Sequence, residues 1–164
     1  MRSIGVSPVI RFFYHPDLRP WRIPGANQHK KWLSHCISAL QRGQELSRIY
    51  YSFIPLPEMC HLHEKFLQDP SPTDIMTFEY PTGEGIRVEA EIFVAPEQVR
   101  LQAAELRLPF EEELRRVLVH GILHILGWRD HTPEEQAAMR KTEDFCLSLW
   151  PQTCVSHETP RHRL

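Results

Sequence analysis

The stretch HGILHILGWRDH, residues 120–131, places three histidines and an aspartate within a short run. On an α-helix, residues four apart lie one turn above each other on the same face. His120 and His124 can therefore present imidazole nitrogens to a single ion. Gly127 ends the helix and lets the chain fold back, which carries a residue near position 130 toward that ion. Two histidines, a third donor and an open position are what zinc takes in hydrolytic sites, where it acidifies water or polarises a substrate oxygen. A lone histidine on an apolar helix face is usually a packing residue. Two at this spacing, followed by Gly and then Asp130-His131, are poorly explained that way. Zinc peptidases of the H-E-x-x-H type carry a glutamate after the first histidine as general base. Here that position is Gly121, which disfavours peptide hydrolysis.

The elements that must position these residues follow from periodicity and turn chemistry. Val9–Tyr14 reads as a first strand, and a Pro- and Gly-containing loop leads to a helix over about Gln28–Gln41, with Leu33, Cys36, Ile37 and Leu40 on one face. Ser47–Ile54 is a second strand, and Pro57 opens a short helix marked by Met59, Leu62, His63 and Phe66. Ile75–Tyr80 and Arg87–Ala95, separated by turn residues, form an antiparallel hairpin. A helix follows Pro96 to about Leu106, and another runs from Pro109 to Leu126. Thr132-Pro133-Glu134-Glu135 is a helix start with N-cap, first-turn proline and capping-box glutamate, so a last helix covers about Pro133–Leu149. The expected architecture is a small α/β (α+β) domain over residues 1–150: a mixed four-stranded sheet packed by about five helices, then a frayed tail over 151–164.

Composition bounds the function. The chain has 164 residues, 41% hydrophobic and 24% charged, with a formal net charge of −2, so no global field draws it to nucleic acid. No apolar run approaches a membrane span, and the N-terminal residues do not read as a signal peptide. The expected compartment is the cytoplasm. Cys36, Cys60, Cys146 and Cys154 form no C-x-x-C pair, and in a reducing compartment they are core or surface thiols. The basic pairs Lys30-Lys31 and Arg115-Arg116 read as solvated helix faces.

The histidine block resembles the signature of the YbeY family, metal-dependent endoribonucleases of rRNA maturation. That signature is close to H-G-x-L-H-L-x-G-aromatic-D-H, and it is met at His120, Gly121, Leu123, His124, Gly127 and Trp128. SPTDIMTFEYP is similar to the family's strand entry, with Thr73, Asp74, Thr77 and Phe78 in place. EAEIFVAPEQVRLQA resembles its G-D-I strand and following helix, although Glu89-Ala90-Glu91 departs from Gly-Asp. Most relatives bind zinc with a third histidine ten residues after the first. Gapless counting puts Asp130 there and His131 one place later, and since zinc accepts carboxylate oxygen, Asp130 is the favoured third ligand. Many relatives also carry an arginine before the T-D block, where this chain has Leu67 with Lys65 nearby.

The resemblance implies a single-strand-specific, zinc-dependent endoribonuclease acting in rRNA processing at the 3′ end of 16S rRNA, with rRNA and ribosomal subunits as partners. His120, His124 and Asp130 are the expected ligands of one zinc ion. His131 is a candidate acid/base or alternative ligand, and Arg129 a candidate RNA contact. An aspartate ligand lowers the site's net charge, which predicts an alkaline-shifted activity profile relative to three-histidine relatives. The alternatives are a ribosome-assembly factor with a mainly structural metal and, disfavoured by Gly121, a small zinc peptidase.

Overall fold

A computed structural model describes residues 7–40, 45–82 and 87–151. Strand β1 (Val9–Tyr14) is followed by a 3-10 turn at Pro16–Leu18 that periodicity does not reveal, then by helix α1 (Ala26–Leu40). Strand β2 (Glu45–Phe53), helix α2 (Leu56–Leu67), strands β3 (Ile75–Pro81) and β4 (Arg87–Val94), and helices α3 (Pro96–Leu106), α4 (Phe110–Ile125) and α5 (Pro133–Ser148) complete the order. The expected elements are all present, with ends shifted by one or two residues. The tail residues Cys154, His157 and His162, and the tip of the β3–β4 turn, lie outside the described residues.

The sheet order is β1-β2-β4-β3. β1 and β4 run parallel to β2, and β3 is antiparallel to β4. The sheet is therefore mixed, and β3 is driven to its edge because β4 inserts between it and β2. Alternation sends Ile49, Tyr51 and Phe53 of β2 and Ala90, Ile92 and Val94 of β4 to one face, all fully buried. Helices α1, α4 and α5 bury Leu33, Ile37, Leu118, Ile122 and Cys146 in the same core. Two aromatic polar groups inside it are paired: Tyr51 donates its hydroxyl to the Leu118 carbonyl at 2.7 Å, and Trp32 donates its indole N–H to the Cys146 carbonyl at 2.7 Å. Cys36 and Cys146 are free and buried, as a core thiol reading predicts.

The other sheet face carries Arg48 and Glu89, paired at 3.2 Å. Helix α2 covers one end of the molecule with a second apolar cluster of Ile54, Met59, Met76 and Ala95. Among the described residues, no helix is long and apolar enough to cross a membrane.

Two local devices aim the histidine helix. Gly121 faces the sheet, and a Cβ there would stand 2.7 Å from Ile75 Cδ1 and 3.1 Å from Ile92 Cγ2. Its missing side chain lets α4 lie close against β3 and β4. At the C-terminal end, Gly127 adopts φ +99°, a backbone conformation that suits glycine. Its N–H bonds the His124 carbonyl at 3.0 Å, and the Trp128 N–H bonds the Leu123 carbonyl at 2.9 Å. This pair of bonds is a Schellman stop, and it reverses the chain toward the face that α4 presents.

Candidate metal centre

Helix α4 sets His120 above His124, with ring centroids 4.5 Å apart. The reversal at Gly127 returns Asp130 so that one carboxylate oxygen, Oδ2, lies 3.5 Å from the Nε2 of each histidine. The two Nε2 atoms stand 2.9 Å apart. Zinc bonds of about 2.0–2.2 Å in a tetrahedral arrangement hold donors roughly 3.3–3.5 Å from one another, so this triangle fits an ion with little movement. His120, His124 and Asp130 are thus a group that could hold a metal ion.

The capping box holds the returning loop from the other side. Thr132 accepts from the Glu135 N–H at 3.1 Å, and the Glu135 carboxylate accepts from the backbone N–H of Thr132 at 3.2 Å and of His131 at 2.9 Å. Gln136 donates to the Asp130 carbonyl at 3.0 Å. His131 is exposed and stands outside the donor triangle, its backbone tied to Glu135. Arg129 is exposed and lines the cleft beside the triangle.

Glu143 of α5, which sequence reasoning missed, sits behind His120. It is 5% exposed and accepts from His120 Nδ1 at 2.7 Å. A carboxylate there holds the proton on Nδ1 and leaves the Nε2 lone pair for an ion. Two lone pairs facing at the 2.9 Å of the histidine Nε2 atoms need a proton or cation between them, which is a second sign that the group suits a metal. Arg116 completes the support, donating to Glu143 at 2.9 Å and to Asp144 at 2.8 Å. The reading of Arg115-Arg116 as a solvated face fails at both residues. Arg116 is drawn to the buried carboxylate, and the Arg115 guanidinium lies 4.6 Å from the Trp150 ring centroid. The signal for Glu143 was its place on the apolar stripe of α5 between Met139 and Cys146: a charge on a buried face implies a partner.

Titration follows from these contacts. Burial works to lower the His120 imidazole, but the hydrogen bond and charge of Glu143, with Asp130 and Asp74, raise it above its ordinary value. His124 is lowered, first by burial and then by the charge of His120. Burial works to raise Glu143, and the hydrogen bonds of His120 and Arg116 hold it below the usual range. Asp74, at the entry to β3, is raised by burial despite the pull of His120.

The triangle opens onto a cleft of about 750 Å³. It is lined by His120, His124, Arg129 and Asp130 together with the end of α2 and residues 73–78, among them Phe66, Leu67 and Phe78.

A small mixed-sheet α/β domain with a His-His-Asp group at the end of a helix has the donor set that metal-dependent hydrolases use. A family model described as Endoribonuclease YbeY matches residues 22–150. The chain is 30% identical over 142 residues to Endoribonuclease YbeY of Flavobacterium psychrophilum, covering 87% of this chain and 96% of that protein. It is 32% identical over 127 residues to Endoribonuclease YbeY of Parabacteroides distasonis, covering 76% and 88%. The chain belongs to the YbeY family, whose named members are RNA hydrolases. The solution structure of TM1509 from Thermotoga maritima shares the fold, with a TM-score of 0.57 at 22% identity over 86% of this chain and 88% of that one.

Proposed function

We propose that this chain is a zinc-dependent endoribonuclease that cuts single-stranded RNA during rRNA processing and ribosome quality control in the cytoplasm. The observation that carries the reading is the convergence of His120 Nε2, His124 Nε2 and Asp130 Oδ2 on one point, with Glu143 orienting His120. Zinc is the metal that this donor set favours, since two imidazoles and a carboxylate are its common hydrolytic ligands. When bound, it supplies Lewis acidity toward a water and a phosphate oxygen. The chain's own residues do the rest. Glu143 keeps the His120 ring from turning, Arg129 offers a guanidinium to a phosphate along the cleft, and His131, exposed next to Asp130, is the candidate acid or base. The choice of 16S rRNA and ribosomal subunits as substrate and partners rests on the family membership.

Gly121 argues further against the peptidase alternative. A glutamate there would have to enter the contact with Ile75 and Ile92, so the helical base of a zinc peptidase has no room.

The test is cleavage of labelled single-stranded RNA by zinc-loaded protein, with casein as a control. His124→Ala is expected to abolish RNA cleavage, at least ~100-fold, while circular dichroism shows the fold intact. RNA cleavage that persists in that variant would remove the metallo-nuclease reading.

A further inference from the structure

The part of the cleft lining that comes from the end of α2 is unusual for a surface exposed to water. Phe66 is 48% exposed and Leu67 60% exposed, adjacent on the last turn of α2. They are held there rather than left loose. Gln68 closes the helix in the left-handed conformation, φ 53°, with its N–H on the Glu64 carbonyl. The Asp69 carboxylate accepts from the Ser71 N–H at 2.8 Å, and His63 Nδ1 donates to the Ser71 carbonyl at 2.9 Å. Phe78 of β3 braces Phe66 edge-on, with ring centroids 4.9 Å apart. The Lys65 ammonium lies over the Phe66 ring, 5.5 Å from its centroid, on a flexible side chain that an incoming base would displace toward its own phosphate.

A fixed aromatic face, an adjacent cation and a shared cleft with a hydrolytic metal group are the parts that bind a single nucleic-acid strand. We propose that Phe66, braced by Phe78 and edged by Leu67, is a stacking platform for one unpaired base of the RNA strand, with Lys65 meeting a neighbouring phosphate. The occupant follows from chemistry. Every base has a flat face that suits a phenyl ring, and the cleft continues from Phe66 to the His120–His124–Asp130 group, where the phosphate would be cut. A paired base keeps both faces covered by its neighbours, so only an unpaired one can reach the ring. Phe66 thereby selects single-stranded substrate. This subsite rests on the nuclease reading, and it adds a binding residue that the metal group does not supply.

The test uses the full chain carrying His124→Ala, so that nothing is cut, and follows a fluorescein-labelled single-stranded oligoribonucleotide by anisotropy. Phe66→Ala on that background is expected to weaken binding about tenfold or more, the effect of losing one stacked base. Phe66→Trp is expected to keep or tighten it, which a purely structural role for Phe66 would not produce. Phe13→Ala, an exposed aromatic on β1 at the opposite edge of the sheet, is expected to leave binding unchanged. An abasic residue moved along the oligonucleotide is expected to weaken binding at one position, and that position should cease to matter in Phe66→Ala. In the cleaving enzyme, Phe66→Ala should raise KM and leave kcat near its original value. Equal affinities of Phe66→Ala and Phe66→Trp, or indifference to the abasic position, would overturn the platform. The abasic scan needs no change at Phe66, so it decides the matter even if Phe66→Ala folds poorly. A zinc-loaded chain that cuts no RNA but keeps the abasic effect would remove the nuclease reading alone. Cleavage without the abasic effect would remove the platform alone.

Discussion

Asp130 and His131 are neighbours with opposite surroundings. Asp130 turns its carboxylate to both histidine Nε2 atoms at 3.5 Å, while His131 is exposed and tied through its backbone to Glu135. If the triangle holds the ion, Asp130→Asn removes a charged donor and His131→Ala removes none. Zinc content after dialysis should fall at least ~10-fold in Asp130→Asn and stay near wild type in His131→Ala. Retained zinc in the first and lost zinc in the second would move the third ligand to His131. Asp130's place after the Gly127 turn was legible from residue counting. The role of Glu143 was not, because it comes from the next helix, α5, 23 residues along the chain, and only helix packing brings it to His120.

Helix α4 is aimed by what it lacks. Replacing Gly121 by alanine improves helix propensity by about 1 kcal/mol. The new Cβ, however, meets Ile75 Cδ1 at 2.7 Å, and overpacking of that kind costs about 1–3 kcal/mol. Ile75 Cδ1 is a side-chain end that can give way, whereas Ile92 Cγ2, at 3.1 Å, is fixed on its β-carbon. The overpacking should win by a small margin. Gly121→Ala is expected to lower stability to urea by about 1 kcal/mol and to reduce cleavage, because Ile75 lines the cleft. A variant more stable than wild type would show that Ile75 yields freely. The sequence comparison with zinc peptidases marked Gly121 as a missing base. The packed structure adds that the same absence is a spacing between helix and sheet, a fact that no count of residues contains.

Across the whole molecule, three carboxylates come within electrostatic reach of one another around α4. Asp74 stands just before β3, Glu113 in the first turn of α4 and Glu143 on α5. Glu143 is matched by Arg116, whereas Glu113, 7% exposed, has a buried Oε2 with no hydrogen-bond partner among the described residues. Burial raises its carboxyl above the ordinary value, and the charges of Asp74 and Glu143 add to that against the pull of Arg116 and Arg140. A folded-state pKa above the unfolded value of about 4.3 means that the native state binds the proton more tightly. The group's contribution is fully present below that unfolded value and is lost as pH rises through the folded one. Glu113→Gln removes the charge. It is therefore expected to be more stable than wild type toward urea at pH 8, with the difference vanishing below about pH 4. Equal or lower stability at pH 8 would mean that Arg116 compensates the buried charge after all.

Local spacing alone determined a good deal. Two histidines four apart, a glycine stop and a capping box dictate a helix, a reversal and a second helix, and their physics is short-range. The strands and their alternation were equally legible, because burial of one face imposes period two. Tertiary structure decided the insertion of β4 between β2 and β3, the approach of Glu143 and Arg116, the fit of Gly121 on the sheet and the placing of Phe66 in the same cleft as the histidines. Each of these joins residues distant in the chain, and their contact energies depend on how whole elements pack, which local periodicity does not encode.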